Sequence, residues 1–426
     1  MSLHPQQTSV IPNRIFYKLP TTTDYQSRQM TKILPANGSG TFTQNSTITI
    51  ELPASGFADF KNSYLSLKAQ LTNTQGNIVF DNTSCPFIKR LRIADGWNNT
   101  IEDITNYADV VAVNEKLFHT ADYVNGIGSI LEGVVPDVAA DIQSTERINY
   151  CQDSNKRQLK LISGVLQSTQ MWPLEYSRGL IIEIFISTAA EAGGFDTTLD
   201  NTVASVLNID NVSFNLETVQ VSPVYKQAFE QKLVSAGIKF NCPTWLSTKH
   251  TTNGSSHFSS QLSENMKSIK HIFFYCRDSA IENTTANRQT EVFQSKGAVD
   301  YQFRWGNRYV PNQKVDCDGS SAEALVELLK ACNVASDVSV ANEIGLSNFS
   351  NLATTRGGPG VGASTKAIFG QNFELDADEN MSGLSSIKQP LSLEINFASG
   401  VTTNVYTLIN YDQILVITPQ GVMSSY

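Results

Sequence analysis

Two stretches of alternating hydrophobicity, one in the middle of the chain and one near its C-terminus, set the pattern of this sequence. The first, LIIEIFIST, begins at Leu180, and the second, LSLEINFAS, begins at Leu391. In both stretches every second residue is a large apolar one, and a glutamate, Glu183 or Glu394, stands at the same polar position. A period of two predicts a β-strand that has one face in a core.

Each stretch is followed by a second strand that ends in a hydroxyl residue and a proline. VSFNLETVQVSP closes at Pro223, and YTLINYDQILVITP closes at Pro419. Proline cannot donate a hydrogen bond to a neighbouring strand, so it ends the ladder. The two alternating stretches start 211 residues apart, about half of the 426-residue chain. This offset predicts that the chain contains two copies of one structural unit.

The order of further elements supports a duplication. Each half has two strands, a turn with a tryptophan and a helix before its alternating stretch. In the first half these are strand 64–71, strand 88–93, the turn DGWNN and a helix over 105–118. In the second half they are strand 269–276, strand 300–305, the turn around Trp305 and a helix over 321–332. The sequence therefore predicts an all-β fold of two tandem antiparallel jelly-roll β-sandwiches with short helical excursions.

Prolines and polar runs divide the chain into three parts. Residues 1–40 contain four prolines and polar runs such as TTTDYQSRQ, which predict an extended N-terminal arm and not a packed unit. The segment PVYKQAFEQKLVSAG predicts a helix that begins at Pro223 and ends before Gly237. We therefore expect a first jelly roll over residues 41–222 and a second over residues 223–426.

Several connecting segments carry predictions of their own. In SSAEALVELLKAC, Ser320 is the expected N-cap of a leucine-rich helix and Glu323 its capping-box partner. The segment GNRYVPN is predicted to be a turn, and residues 334–366 a long surface loop. Residues 119–155 form a second long excursion. Loop length makes both excursions candidates for tower or interface insertions.

Composition narrows the possible functions. With 31 Lys and Arg against 40 Asp and Glu, the net charge of −9 disfavours nucleic-acid binding, and no sequence-specific nucleic-acid contact is expected. Neither an apolar signal segment nor an uncharged apolar run of about eighteen residues occurs, so we expect no standard secretion signal and no membrane span. Six widely spaced cysteines without a CxxC pair predict reduced thiols in a protein made in a reducing intracellular compartment.

Two polar stretches resemble ligand-binding motifs only in part. The glycine-rich run from Arg356 to Lys366 lacks the Gly-Lys-Ser/Thr of a phosphate-binding loop, so a flexible loop is expected there. Asp316, Asp318 and Glu323 lack the twelve-residue spacing of a calcium loop, so a turn followed by a helix cap is expected.

Histidines and tryptophans also favour structural roles. His250 and His257 fall in a Ser/Thr-rich segment without Cys or Glu at ligand spacing, which predicts a solvated loop and not a metal site. Trp172 and Trp305 are expected to anchor a core or an interface. Convergent catalytic triads leave no local signature, so the sequence does not exclude catalysis outright. It assigns no catalytic residue, no cofactor and no metal ligand, and the protein is not expected to be an enzyme.

In its architecture the chain resembles the double jelly-roll major capsid proteins of small double-stranded DNA viruses, such as polinton-like viruses and virophages. The likeness rests on the prolyl arm, the strand SYLSLKAQLTN, the helix after IKRLRIADGWNNTIEDI, and YQFRWGNRYVPNQ before the leucine-rich helix. It covers nearly the whole chain. The resemblance implies a structural protein of the virion capsid.

The resemblance also implies how copies of the chain assemble. Two similar sandwiches in each subunit of a homotrimer give six similar wedges around a threefold axis, hence a capsomer of pseudo-hexagonal outline. Such capsomers tile an icosahedral shell, with neighbouring capsomers, penton proteins and minor capsid or cement proteins as partners; an inner membrane is left open. Two alternatives compete: a two-domain β-sandwich carbohydrate-binding or fibre-like adhesion protein, and a β-sandwich hydrolase.

Overall fold

The computed structural model describes most of the chain, with gaps in several connections. The described residues are 25–73, 78–134, 156–195, 205–262, 265–279, 282, 293–317, 322–335, 344, 349, 366–376 and 381–425.

Strands make up most of both halves. The strands of the first half are β1 (Tyr25–Ile33), β2 (Phe42–Thr43), β3 (Thr47–Leu52), β4 (Phe57–Ala58), β5 (Tyr64–Asn73), β6 (Ile78–Phe80), β7 (Ile88–Asp95), β8 (Thr100–Thr105), β9 (Lys156–Leu159), β10 (Trp172–Pro173), β11 (Leu180–Ile186), β12 (Gly193–Phe195) and β13 (Ser205–Val221). Those of the second half are β14 (Ile238–Thr251), β15 (Ser255–Leu262), β16 (Ile269–Arg277), β17 (Ala298–Trp305), β18 (Arg308–Asp316), β19 (Phe369–Asn372), β20 (Leu391–Val401), β21 (Asn404–Thr418) and β22 (Gly421–Ser425).

Short helices fill some of the connections. They are α1 (Tyr107–Phe118), α2 (Ala121–Asn125), α3 (Ile127–Leu131), α4 (Ala189–Ala192), α5 (Pro223–Ala236) and α6 (Glu323–Ala331), with a 3-10 turn at Phe60–Asn62. The helix expected from Pro223 is confirmed: Ser222 caps its start through Tyr225 N, and Gly237 follows its end with a φ of 68°. Among the described helices, none is both long and apolar enough to cross a membrane.

Both halves arrange eight principal strands in the same order. In the first half β1-β13-β5-β9 form one sheet, extended by β2, β4 and β10, and β3-β11-β7-β8 form the other. In the second half the sheets are β14-β21-β16-β19, extended by β22, and β15-β20-β17-β18. In each half the first, last, third and sixth strands make one sheet, and the second, seventh, fourth and fifth make the other. This is jelly-roll connectivity, and the predicted all-β tandem fold is confirmed.

The two alternating stretches occupy equivalent places in the two sandwiches. β11 lies between β3 and β7, with Leu180 opposite Leu52 and Asp95. β20 lies between β15 and β17, with Leu391 opposite Leu262 and Trp305. Each strand buries every second side chain, as a period of two requires. The predicted duplication therefore holds at the level of strand pairing.

One part of the predicted arm is wrong. Tyr25–Ile33 is not outside the packed unit but is strand β1, which pairs antiparallel with Phe214–Val221 of β13. Its side chains are largely exposed, and Arg28 forms an ion pair with Glu217. Backbone hydrogen bonds hold this strand in the sheet. Its sequence therefore needs no alternation of apolar and polar residues, and the strand could not be predicted from such a pattern. Residues 1–24 of the predicted arm lie outside the described residues.

Two further local predictions are corrected. GNRYVPN is not simply a turn, because Gly306 and Asn307 close a hairpin and Arg308–Asp316 continues as β18. Pro311 is compatible with a strand there because β18 is an edge strand. The leucine-rich helix begins after Ala322 without a side-chain cap, so Glu323 is not at the capping-box position.

The two predicted excursions are only partly described. Residues 119–134 contain α2 and α3, whereas residues 135–155 lie outside the described residues. The predicted loop 334–366 also lies outside them, apart from its two ends and residues 344 and 349.

Candidate functional site: the junction of the two sandwiches

An apolar contact brings the two sandwiches together at β10 and β14. The indole of Trp172 packs on the ring of Phe240, with 5.2 Å between ring centroids, and its Nε1 donates to Ser177 Oγ at 3.0 Å. Close by, a Cβ added at Gly164 would lie 2.3 Å from the carbonyl oxygen of Pro243. Only glycine fits at this point, because the two backbones nearly touch. The interpretation of Trp172 as a core or interface anchor is confirmed.

A buried carboxylate on β8 links both sandwiches. Glu102 accepts hydrogen bonds from Ser163 Oγ and from Gly164 N (3.0 Å) in the first sandwich, and from Thr244 Oγ1 (2.5 Å) in the second. Burial raises the pKa of Glu102, and the hydrogen bonds from Ser163 and Thr244 oppose that rise. Truncating Glu102 would leave several buried donors without an acceptor, so the residue fixes the junction.

A buried ion pair forms a second link. Arg277, at the end of β16, donates from a guanidinium nitrogen to Asp109 Oδ1 on α1 at 2.6 Å. The guanidinium carbon also lies 4.7 Å from the ring centroid of Tyr406 and 5.3 Å from that of Tyr275. Burial opposes the charge of Arg277, but the Asp109 carboxylate outweighs it and holds the pKa of the guanidinium well above its ordinary value. The guanidinium of Arg277 therefore stays charged.

Three further hydrogen bonds complete the contact. Asn106 Nδ2 donates to Ser247 Oγ at 3.0 Å, and Gln413 Nε2 donates to the carbonyl oxygen of Ile101 at 3.2 Å. The backbone N–H of Val422 donates to Asp95 Oδ2 at 3.2 Å. Because these contacts are buried or half-buried and directional, they hold the sandwiches in one relative orientation.

A cleft of about 920 Å³ opens beside the junction. Its walls come from both sandwiches, and its titratable residues include Glu115, His119, Glu132, Lys160, Lys270 and His271. Burial, with a smaller contribution from Lys270, lowers the pKa of His271 to about 3, so this imidazole is neutral at pH 7. Burial raises the pKa of Glu115 to about 7.

Comparison with known proteins rests on structure, since no protein-family model and no curated protein sequence matches the chain. The Faustovirus major capsid protein superposes with a TM-score of 0.56 at 10% identity, over 95% of this chain and 94% of that one. A chain of the Sputnik virophage gives 0.55 at 13% identity, over 100% and 93%. The mavirus major capsid protein gives 0.54 at 10% identity, over 100% and 95%. The chain has the double jelly-roll fold.

These matches confirm the resemblance stated from the sequence at the level of fold. They extend over nearly the whole length of each chain, so both jelly rolls and their order agree. The Faustovirus and mavirus proteins are major capsid proteins.

The double jelly roll separates residues that the sequence placed together. His250 lies in β14 and His257 in β15, which belong to different sheets, so the pair is not in a solvated loop. The imidazole Nδ1 of His257 lies 2.8 Å from Asn396 Oδ1. Glu323 accepts a hydrogen bond from the backbone of Asp316 at 3.3 Å, and Asp318 lies outside the described residues.

The other residues considered as possible ligand-binding residues either make contacts within the fold or lie outside the described residues. The indole of Trp305 donates to the carbonyl oxygen of Ser385 at 3.0 Å, within the second sandwich. Most of the glycine-rich run from Arg356 lies outside the described residues, and Lys366 at its end is buried. Apart from Trp172, the junction residues had no sequence signal, because hydrogen bonds between residues more than 140 positions apart leave no local spacing.

The described thiols are buried and free. They are Cys85, Cys242, Cys276, Cys317 and Cys332, whereas Cys151 lies outside the described residues. Burial raises the pKa of Cys276 and of Cys332 to about 12. These thiols therefore stay protonated and pack as small apolar side chains.

Proposed function

We propose that this double jelly-roll protein is a viral major capsid protein, and that three copies form a capsomer of pseudo-hexagonal outline. The observation that supports this most directly is the repeated strand order in one chain. Two sandwiches of the same connectivity present two similar wedges, and a threefold axis turns two wedges into six. The whole-length likeness to the Faustovirus and mavirus proteins supports the same proposal.

The junction between the sandwiches suits a building block. A shell subunit must hold its two wedges at a fixed angle, because small errors accumulate across the shell. The Arg277–Asp109 ion pair, the Glu102 hydrogen bonds and the Trp172 contact are all buried and join residues far apart in the chain. We propose that the division of the chain near Pro223 separates two wedges of one rigid subunit.

Exposed apolar side chains are candidates for contacts between copies. Ile127 and Ile130 on α3 are 62% and 75% exposed, and Val224 and Val234 on α5 are 77% and 74% exposed. Exposed apolar groups that occur together favour burial against a partner. We propose that α3 contributes to contacts within or between capsomers.

A capsid function also implies partner proteins and a location for this protein. Neighbouring capsomers, penton proteins and minor capsid or cement proteins would complete the shell, and the protein would be found in the virion. Buried free thiols support synthesis in a reducing compartment of the host. The net charge of −9 supports an inner face that makes no sequence-specific contact with the genome.

Oligomeric state tests the proposal. The purified full-length chain is examined by size-exclusion chromatography with light scattering and by electron microscopy. We expect a mass three times the 46.8 kDa of one chain, particles of hexagonal outline, and shells at high concentration. A monomer that neither trimerises nor assembles with its partner proteins would refute the capsid function, and glycan binding by that monomer would support the adhesion protein instead.

A pair of variants tests the α3 contact. Ile130→Glu places a charge on the exposed face of α3 and is expected to weaken assembly. Val326→Glu is the matched control, since Val326 is an exposed apolar residue on α6. Equal assembly of both variants and the wild type would show that α3 is not a contact surface.

A further inference from the structure

Three potential metal ligands converge at one end of the cleft. Glu115 lies in the last turn of α1, His119 follows that helix, and Glu132 follows α3. One ligand atom from each residue lies within 4.8 Å of the other two. Glu115 is buried and the other two are partly buried, so the cluster is not an exposed group of acids.

Local structure explains why the three side chains meet. Glu115 and His119 are four residues apart, which places them on one face of the helix end. Thr120 then caps α2 through Tyr123 N at 3.2 Å, and the ring of Tyr123 packs against that of His119 with 4.5 Å between centroids. The α2–α3 turn brings Glu132 back toward α1.

The cluster brings two carboxyl groups together beside one imidazole. The carboxyl oxygens of Glu115 and Glu132 lie within 4.8 Å of each other, although Glu115 also accepts a hydrogen bond from Ser84 N at 3.1 Å. The Glu132 carboxyl group is hydrogen-bonded to Tyr123 and lies near the charge of Arg157, which also donates to the carbonyl oxygen of Ser84 at 2.9 Å. Glu132 Oε2 is nevertheless shielded from solvent and has no hydrogen-bond partner among the described residues. A bound cation would relieve this arrangement.

We propose that Glu115, His119 and Glu132 bind a divalent transition-metal ion. One imidazole nitrogen and two carboxylate oxygens suit zinc, manganese or iron(II), whereas calcium and magnesium favour oxygen ligands alone. Ligand atoms about 2.1 Å from one ion lie roughly 3–4 Å apart, so the observed 4.8 Å limit needs only small side-chain movements. The cleft supplies an entry path and water for the remaining coordination positions.

The ion would have a structural effect. It would join the end of α1 to the end of α3, and so fix the segment that carries Ile127 and Ile130. Helix α1 also carries Asp109, which pairs with Arg277 of the second sandwich. The metal site would therefore connect the α2–α3 excursion to the junction. This proposal does not depend on the capsid function.

Zinc titration of the full-length protein tests the site. After treatment with a chelator and its removal, the protein is titrated with zinc ions in a calorimeter. We expect one zinc ion per chain, with affinity reduced at least tenfold in His119→Ala and in Glu132→Gln. His257→Ala, which also removes an imidazole, is the matched control because His257 lies outside the cluster, and it is expected to bind like the wild type.

Thermal unfolding supplies a second readout. Binding to the folded state alone must raise the melting temperature, so zinc is expected to stabilise the wild type and His257→Ala but not the two cluster variants. Circular dichroism establishes that each variant is folded; should His119→Ala not fold, Glu132→Gln decides, since it keeps the side-chain shape. Absence of micromolar zinc binding in the wild type would overturn the proposal. Unchanged zinc binding in a folded cluster variant would overturn it as well.

Discussion

In the first sandwich Ile182 of β11 stands opposite Ile93 of β7, and in the second Leu393 of β20 stands opposite Phe303 of β17. The register is the same, but the side chains differ. Around Phe303 the core is aromatic, with ring centroids 5.2 Å apart to Phe373 and 6.2 Å apart to Phe274. Alternation and connectivity therefore fix the pairing of strands, whereas the side chains that fill each core can diverge.

At the junction the two sandwiches have become complementary instead of similar. The first supplies three buried carboxylates, Asp95, Glu102 and Asp109, and each of them accepts a hydrogen bond from the second. The first contributes β8 and α1 to the junction, whereas the second contributes β14 and β16, and β14 corresponds in strand order to β1 and not to β8. The two sandwiches therefore meet through non-equivalent surfaces, as in a heterologous contact.

The largest effect is expected from breaking the ion pair at the junction. Asp109→Ala leaves Arg277 buried without a counter-charge and should lower the free energy of unfolding by about 3–5 kcal/mol. Asp103→Ala is the matched control, because Asp103 pairs with Arg90 at 2.5 Å within the first sandwich but is far more exposed. That control should cost about 1 kcal/mol or less. Urea unfolding of both variants measures the difference, and equal losses would contradict a special role for the junction.

A reciprocal exchange between the two cores should have the next largest effect. Phe303→Ile gives the second sandwich the residue found at Ile93 and leaves a cavity among rings, at a cost of about 2–3 kcal/mol. Ile93→Phe overpacks the aliphatic core of the first sandwich, at a cost of about 1–3 kcal/mol. Thermal unfolding measures both. If either exchange left the free energy of unfolding unchanged, the difference between the aromatic and the aliphatic core would have no effect on stability at that position.

The sequence predicted the parts of the fold that bury one face of a strand. LIIEIFIST and LSLEINFAS each place apolar residues on one side, and both became the central strands β11 and β20. The helix α1 was also predictable, since its apolar residues recur at three and four positions. These elements follow from local periodicity alone.

The remaining elements depend on partners that are distant in sequence. β1 is held by backbone pairing with β13, and β18 is an edge strand, so most side chains of both stay exposed. Neither therefore shows a buried face. In the cluster at the cleft, the spacing of Glu115 and His119 was visible, but Glu132 joins them only after the α2–α3 turn. No periodicity in the sequence predicts that Glu132 lies close to Glu115 and His119.

Acid should affect the second sandwich through His271. Its pKa is about 3 in the folded protein against about 6.5 unfolded, so between these values the unfolded state binds the extra proton and stability falls as pH falls. Because the imidazole borders the cleft, we expect a loss of about 1–2 kcal/mol between pH 7 and pH 4. His271→Gln should remove this part of the pH dependence, and His257→Gln should not. Identical pH profiles for the two variants would refute the assignment.

The smallest effect concerns the glutamate that the two alternating stretches share. Glu183 stands opposite Arg92 and accepts a hydrogen bond from Arg92 Nη1 at 2.6 Å, whereas Glu394 stands opposite Gln302. Partial exposure limits the Arg92 pair to about 0.5–1 kcal/mol, so Glu183→Gln should destabilise slightly and Glu394→Gln hardly at all. A double-mutant cycle with Arg92→Gln isolates the pair. A coupling energy near zero would mean that the Arg92 pair contributes nothing to the first sandwich, and the contrast between Glu183 and Glu394 would then have no energetic basis.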